Sequence, residues 1–267
     1  MIILLHVLVA TIYAICAWAR WPRGGNASAR LPLAGQALLG IGLILHALAA
    51  GQAIVRPGGL DLSFVNALSL VAGLAVLAAW ATGMLRALPG VAAVVLPVAA
   101  LCALLPPLAT SSHRIPFAGG PWAAAHIAIA LVAYALFVVV ALQALVMTGL
   151  EKRLHRGLPE QPARAPTPLL TLERFMFRLL GIGFVLLTMT LVSGILFSEQ
   201  LFGKAVPLTH KNVFSVAGWL AFAVLLFGRW RYGWRGRTAL KWILSATLLL
   251  VLGYLGSKFV LEVILGR

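Results

Sequence analysis

Acidic residues are scarce in this chain. It has six Asp and Glu against 21 Lys and Arg, and charged residues fill only 10% of its 267 positions. No acidic metal-binding cluster, nucleotide-binding loop or GxSxG turn is present, so the enzyme classes built on those motifs have no footing. Cysteine is nearly absent too, with Cys16 and Cys102 alone. Without a CxxC or CxxCH the chain is neither a thiol oxidoreductase nor a c-type haem acceptor. Cys16 falls near the inner end of the first apolar run. Cys102 falls about 18 Å up the fourth, at 1.5 Å per residue. At different depths they are not expected to form a disulfide and read as small buried apolar residues.

What fills the chain is hydrocarbon. Hydrophobic residues make up 62% of it and its mean hydropathy is +1.01, which fits no soluble globular class. Long apolar runs recur at roughly 2–19, 32–53, 63–83, 90–109, 122–148, 179–198, 210–228 and 242–264. Each is long enough to cross a bilayer as a helix, the form that satisfies its own backbone in lipid. The expected fold is all-α: a polytopic membrane bundle of eight transmembrane helices, forming one domain over residues 1–267. The fifth run is long enough to tilt or to project past the bilayer. The first starts at Ile2 with no basic residue before it, so a retained span is expected here rather than a cleaved signal peptide.

A net charge of +15 suggests a nucleic-acid partner until its placement is read. Fifteen of the 21 basic residues fall in alternate connections: Arg20, Arg23, Arg30, Arg86, Lys152, Arg153, Arg156, Arg164, Arg174, Arg178, Arg229, Arg231, Arg235, Arg237 and Lys241. The opposite side holds Arg56, Arg114, Lys204, Lys211, Lys258 and Arg267. This is the positive-inside pattern with an even number of spans. It puts both termini on the outer side of the membrane and assigns the charge to topology and anionic lipid, with no nucleic acid. The largest inner connection runs from Gly149 to about Arg178. Its middle, GLPEQPARAPTP, is Pro-rich and is expected to be irregular. The following LLTLERFMFRLL sets Leu169, Leu172, Phe175, Met176 and Leu179 near one face, as in a helix lying flat on the membrane before span six.

On this topology five of the six histidines fall on the outer side or in the outer half. His6 is in the outer third of span one. His46 lies 14 residues past Pro32, about 21 Å up span two. His126 is one turn inside the mouth of span five, and His210 opens span seven. His113 and His155 read as solvated loop residues. Span one carries His6, Ala10, Tyr13, Ala14 and Ala17 on one stripe. Span two carries Leu39, Gly42, His46, Ala49, Ala50 and Ala53 on another. Stripes of small residues let helices approach closely, so both histidines are expected to face the bundle. Ionisable groups in spans are costly and therefore functional candidates; the bland alternative for each is an interhelical hydrogen bond.

Zinc prefers a closed set of three or four ligands, and the outer side offers only Asp61, Glu199 and Glu262 with no nearby thiol. Haem wants imidazoles on an apolar ring and cations at its propionates. The outer rim supplies aromatics (Phe64, Phe117, Trp122, Phe197, Phe202, Phe214) and cations (Arg114, Lys204, Lys211, Lys258). A quinone site or an ordinary interfacial belt has the same composition. Lys258 and Glu262 are spaced i,i+4, as an interfacial ion pair requires.

Four stretches resemble the cytochrome c assembly family: HIAIALVAYALFVVVALQALV, LERFMFRLLGIGFVLLTMTLVSGILFSEQLFG, THKNVFSVAGWLAFAVLLFGRWRYGWRGRTAL and LGYLGSKFV. The likeness covers 66–267. It is greatest to the short eight-helix branch that includes haem-biosynthesis-associated membrane proteins of Gram-positive bacteria. The family's Trp-rich loop is replaced by the short SEQLFGKAVPLTHKN. A second outer His of the last helix pair is replaced around Gly256–Phe259, and an intramembrane His of span seven around Phe227–Arg229. The resemblance implies non-covalent, b-type haem held near the outer leaflet. His126 matches the family's axial-ligand position and His210 is the preferred second ligand, with His46 and His6 as fallbacks. Lys211 and Lys258 become candidate propionate partners and Trp122 a candidate ring contact. The expected role is to bind and present haem, without catalysing bond formation. It would support cytochrome c assembly or membrane haem homeostasis, beside other assembly or haem-synthesis membrane proteins. A transporter of a small solute or metal ion would use the same histidines, and Pro97 and Pro106–Pro107 in span four keep that reading open. A membrane scaffold regulating tetrapyrrole synthesis would use the basic inner loops.

Overall fold

In a computed structural model the chain is described over residues 2–20, 33–57, 59–87, 89–108, 114–116, 120–155, 169–196 and 209–265. Eight helices there are long and apolar enough to span a membrane: Ile2–Ala19, Leu33–Ile54, Phe64–Ala81, Gly90–Leu108, Trp122–Gly149, Leu170–Leu196, His210–Tyr232 and Gly236–Ile264. We number the helices α1 (Ile2–Arg20), α2 (Leu33–Ile54), α3 (Phe64–Ala81), the single turn α4 (Met84–Ala87), α5 (Pro89–Leu104), α6 (Gly120–His155), α7 (Leu169–Leu196), α8 (His210–Tyr232) and α9 (Gly236–Val251). After α9 the same helix runs on through two π-helical segments, Leu252–Gly256 and Phe259–Ile264.

The expected spans are all present, with three differences. Leu169 to Leu179 does not lie flat on the membrane; it is the first part of α7, unbroken to Leu196. Leu172, Met176 and Leu179 are buried, and Gln143 Nε2 of α6 donates to the Leu172 carbonyl at 2.9 Å. The apolar stripe therefore faces a neighbouring helix, and that contact continues the span. The last helix likewise starts at Gly236 rather than 242. A small three-stranded antiparallel sheet also occurs, β1 (Val55–Arg56), β2 (Gly59–Asp61) and β3 (Arg114–Pro116), in which Leu60 pairs with Val55 and Ile115. These strands are too short to show any period-two pattern in sequence.

α6 is the central helix: 61% of its span is buried inside the protein against 22–44% for the others. It packs on α3, α5, α7 and α9, while α1 packs on α2 and α5. At 36 residues it is about 54 Å long, so it projects well past a hydrocarbon core of about 30 Å. Inside lipid, helices gain little from apolar burial as such and associate through close packing and polar links. Phe137 of α6 stacks on Phe222 of α8 with centroids 4.2 Å apart. Large apolar side chains such as Leu4, Ile44, Ile182 and Val192 are left outward, as a lipid-facing surface requires.

The span-two stripe is buried as expected: Leu39, Gly42, His46, Ala49, Ala50 and Ala53. The span-one stripe is slightly rotated; His6, Ala10, Tyr13 and Ala17 are buried but Ala14 is exposed. Cys16 and Cys102 are buried and form no disulfide with each other.

Candidate functional site

Contacts between distant residues gather the histidines at one end of the bundle. His6, near the start of α1, meets Ala103 near the end of α5. His126, near the start of α6, meets Ser193 near the end of α7. Leu62 and Phe64, where α3 begins, meet Lys258 and Glu262 near the end of the last helix. The start of each odd span thus lies beside the end of an even one, as alternating crossings demand. At the opposite end, Arg229 of α8 is paired with Glu173 of α7 at 2.9 Å.

Two polar clusters stand at the histidine-bearing end. In the first, His6 and His46 are buried. His6 Nδ1 is 2.8 Å from the Ala103 carbonyl, which only accepts, so this nitrogen carries the proton. Its Nε2 is buried with no hydrogen-bond partner among the described residues. Both nitrogens of His46 are engaged, Nδ1 with the Tyr13 hydroxyl at 3.1 Å and Nε2 with Ser69 Oγ at 3.0 Å. Gly73 makes room for this ring, since a Cβ there would stand 2.8 Å from His46 Cε1. His46 is thus an interhelical link of α1, α2 and α3, and iron could reach it only by displacing Tyr13 or Ser69.

The second cluster is built by α6, α7, α8 and the last helix. Half-buried His126 has Nδ1 2.8 Å from Ser193 Oγ, and its Nε2 makes no hydrogen bond among the described residues. Lys211 of α8 is close enough to His126 to interact electrostatically. Its ammonium lies 5.3 Å from the centroid of Tyr254, and that of Lys258 lies 5.8 Å from the same ring. Two cations converge on one aromatic, within the usual range of such contacts. Tyr254 also packs on Tyr134 at 5.6 Å, and Ser215 Oγ donates to the Lys211 carbonyl at 2.8 Å.

Backbone packing makes this convergence possible. A Cβ at position 253 would stand 2.9 Å from Phe214 Cβ and 3.4 Å from the Lys211 carbonyl. Glycine there lets the last helix touch α8 one residue before Tyr254. The π-helical turns on either side of Lys258 widen the helix at this point, a distortion often found at functional sites.

The expected residues are therefore unequal. Lys258 donates to the Leu62 carbonyl and pairs with Glu262 at 3.1 Å, while Lys211 has no carboxylate partner among the described residues. His210 is the exposed first residue of α8, after the N-cap Thr209. Trp122 is exposed. His113, Phe117, Phe197, Glu199, Phe202 and Lys204 lie outside the described residues. Ser193 and Glu262 gained their importance only in three dimensions. The signal for Ser193 was a hydroxyl in an apolar run, LLTMTLVSGILF, whose neighbours Thr188 and Thr190 look alike in sequence.

Fold and cluster define a class: a multi-pass membrane protein with an imidazole and a pair of cations gathered at one end of the bundle. Comparison with known proteins narrows it. Residues 35–265 match the model of the cytochrome c assembly protein family, and the chain belongs to that family. Inner membrane protein YpjD of Escherichia coli K12 is 32% identical over 231 residues, 84% of this chain and 85% of its own. A 28.8 kDa protein from the nifR3-like 5′ region of Azospirillum brasilense is 35% identical over 149 residues, 56% of this chain and 55% of its own. Cytochrome c biogenesis protein CcsA of Prochlorococcus marinus strain AS9601 is 25% identical over 184 residues, 61% of this chain and 60% of its own. No solved structure matches the chain.

Proposed function

We propose that the protein is a haem-binding and haem-handling component of a bacterial cytoplasmic membrane, supporting cytochrome c assembly or membrane haem homeostasis. One observation carries this reading: an imidazole with an anchored Nδ1 shares a cluster with Lys211, and among the described residues its Nε2 is unbonded and no carboxylate pairs with that lysine. A metal ligand beside a carboxylate-seeking cation is the pairing that haem requires, with iron at its centre and propionates at its edge. No group of three or more His, Cys, Asp or Glu able to hold a bare metal ion occurs among the described residues, which speaks against a zinc-type site.

In this role His126 Nε2 would hold the iron, with His210, the first residue of α8, as the second ligand. Lys211 neutralises a propionate and Lys258 adds positive potential, its own ammonium being held by Leu62 and Glu262. Trp122 sits two positions into the helix that carries His126 and offers an aromatic edge. Bound haem would supply an electron-accepting iron and, through its vinyl groups, the material of c-type cytochromes. The chain's own work is to hold and present it, without catalysing a bond. Membrane proteins of haem synthesis or cytochrome assembly are the fitting partners. Both termini face the periplasm on this reading, because the arginine-bearing end belongs inside.

The test is an absorption titration of the purified protein with haem in detergent, repeated with His126→Ala and His210→Ala. A bis-imidazole spectrum in the wild type that is lost in each variant is expected. No uptake by the wild type at micromolar haem refutes the proposal. Loss in His46→Ala with retention in His210→Ala would move the second ligand deeper.

A further inference from the structure

We propose that Ser193 is a positioning residue that fixes His126 in the Nδ1-protonated tautomer and so keeps Nε2 as a lone pair ready for a metal. Its purpose rests on the haem-binding role above; its geometry does not. A serine hydroxyl has one proton to give. Ser193 Oγ lies 2.7 Å from the Met189 carbonyl and 3.1 Å from that of Thr190. Carbonyls only accept, so the hydroxyl proton is spent on the backbone of α7. What Oγ turns toward His126 Nδ1, 2.8 Å away, is a lone pair. Two lone pairs at that separation would repel, so Nδ1 must carry the proton, and in the neutral ring Nε2 is then the bare nitrogen.

The same helix shows the device where its direction cannot be otherwise. Thr188 lies five residues before Ser193. Its Oγ1 donates to the Phe184 carbonyl at 2.8 Å and is met by Trp219 Nε1 of α8 at 2.9 Å. An indole nitrogen can only donate. A hydroxyl on α7 that bonds back to its own turn thus accepts a ring N–H from a neighbouring helix. His126 and Ser193 repeat this arrangement near the mouth of the bundle. An imidazole whose Nδ1–H is bonded is oriented and is also a stronger donor through Nε2.

Two measurements test this. Nitrogen NMR of haem-free protein labelled with 15N-histidine, assigned through His126→Ala, reads the tautomer directly. The wild type and Ser193→Thr should show His126 protonated at Nδ1, and Ser193→Ala should shift toward the Nε2-protonated form. In a haem titration Ser193→Ala should bind roughly 10–100-fold more weakly, with a more positive midpoint potential, and Ser193→Thr should recover both. A wild-type His126 protonated at Nε2, or a Ser193→Ala protein with unchanged tautomer, overturns the proposal. So does unchanged affinity and potential in a haem-binding Ser193→Ala. If the wild type takes up no haem while its tautomer is as stated, haem binding is refuted and the Ser193–His126 geometry stands.

Discussion

Replacing Lys258 with Met should destabilise the protein through Glu262 rather than through the lysine itself. The Glu262 side chain is 4% exposed and that of Lys258 14%. One carboxylate oxygen accepts from the Phe64 backbone N–H and the other pairs with Lys258 at 3.1 Å. Lys258 also donates to the Leu62 carbonyl. Met keeps the length and apolar stem of the side chain, so the loss is the ammonium alone. It leaves a buried carboxylate with a single described hydrogen bond, which costs about 3–5 kcal/mol. At about 2–4 °C per kcal/mol for domains of 150–250 residues, the unfolding midpoint should fall by roughly 6–20 °C. Glu262→Gln, which can still accept from Phe64, should lose only about 1.5–3 kcal/mol. The double variant buries no uncompensated charge and should be no worse than Lys258→Met alone. The protein's own buried thiols, Cys16 and Cys102, report unfolding when heated in detergent with a thiol-reactive fluorophore. Losses that add to within about 0.5 kcal/mol would refute the coupling.

Two further outcomes follow from the packing. Gly73→Ala places a methyl 2.8–2.9 Å from the His46 ring and should cost about 1–3 kcal/mol by overpacking; the same thiol assay checks it, and an unchanged midpoint would mean the ring can move aside. Glu173→Gln removes the carboxylate that holds Arg229 at 2.9 Å and approaches Arg235 at 3.7 Å. It should lower stability by about 1.5–3 kcal/mol, with little salt dependence because Arg229 is largely shielded; a loss that vanishes in high salt would place the pair at the surface instead.

Much of this was legible along the chain because lipid simplifies the code. A helix that must satisfy its backbone internally and meet hydrocarbon declares itself by length and composition, as α2 and α6 do. The small-residue stripe of α2 also forecast that His46 faces inward. Span limits failed where a neighbour decided them. Leu169 to Leu179 looked like a surface helix by amphipathicity, but its apolar side meets α6 and Gln143 holds its backbone. The sheet of β1, β2 and β3 joins strands whose partners are up to about 60 positions apart, beyond any local pattern.

By itself the sequence determined the eight spans, the excess of basic residues in alternate connections, and the set of histidines and lysines from which the proposed site is drawn. These depend only on composition, period and count. Tertiary structure alone decided how members of that set differ. It locks His46 between Tyr13 and Ser69, ties Lys258 to Leu62 and Glu262, and leaves Lys211 without an acid among the described residues. It also turns a serine on α7 toward His126. Such differences come from which polar atom finds a partner across a helix interface. That is fixed by rotation and register between helices far apart in the chain, which no local stretch encodes.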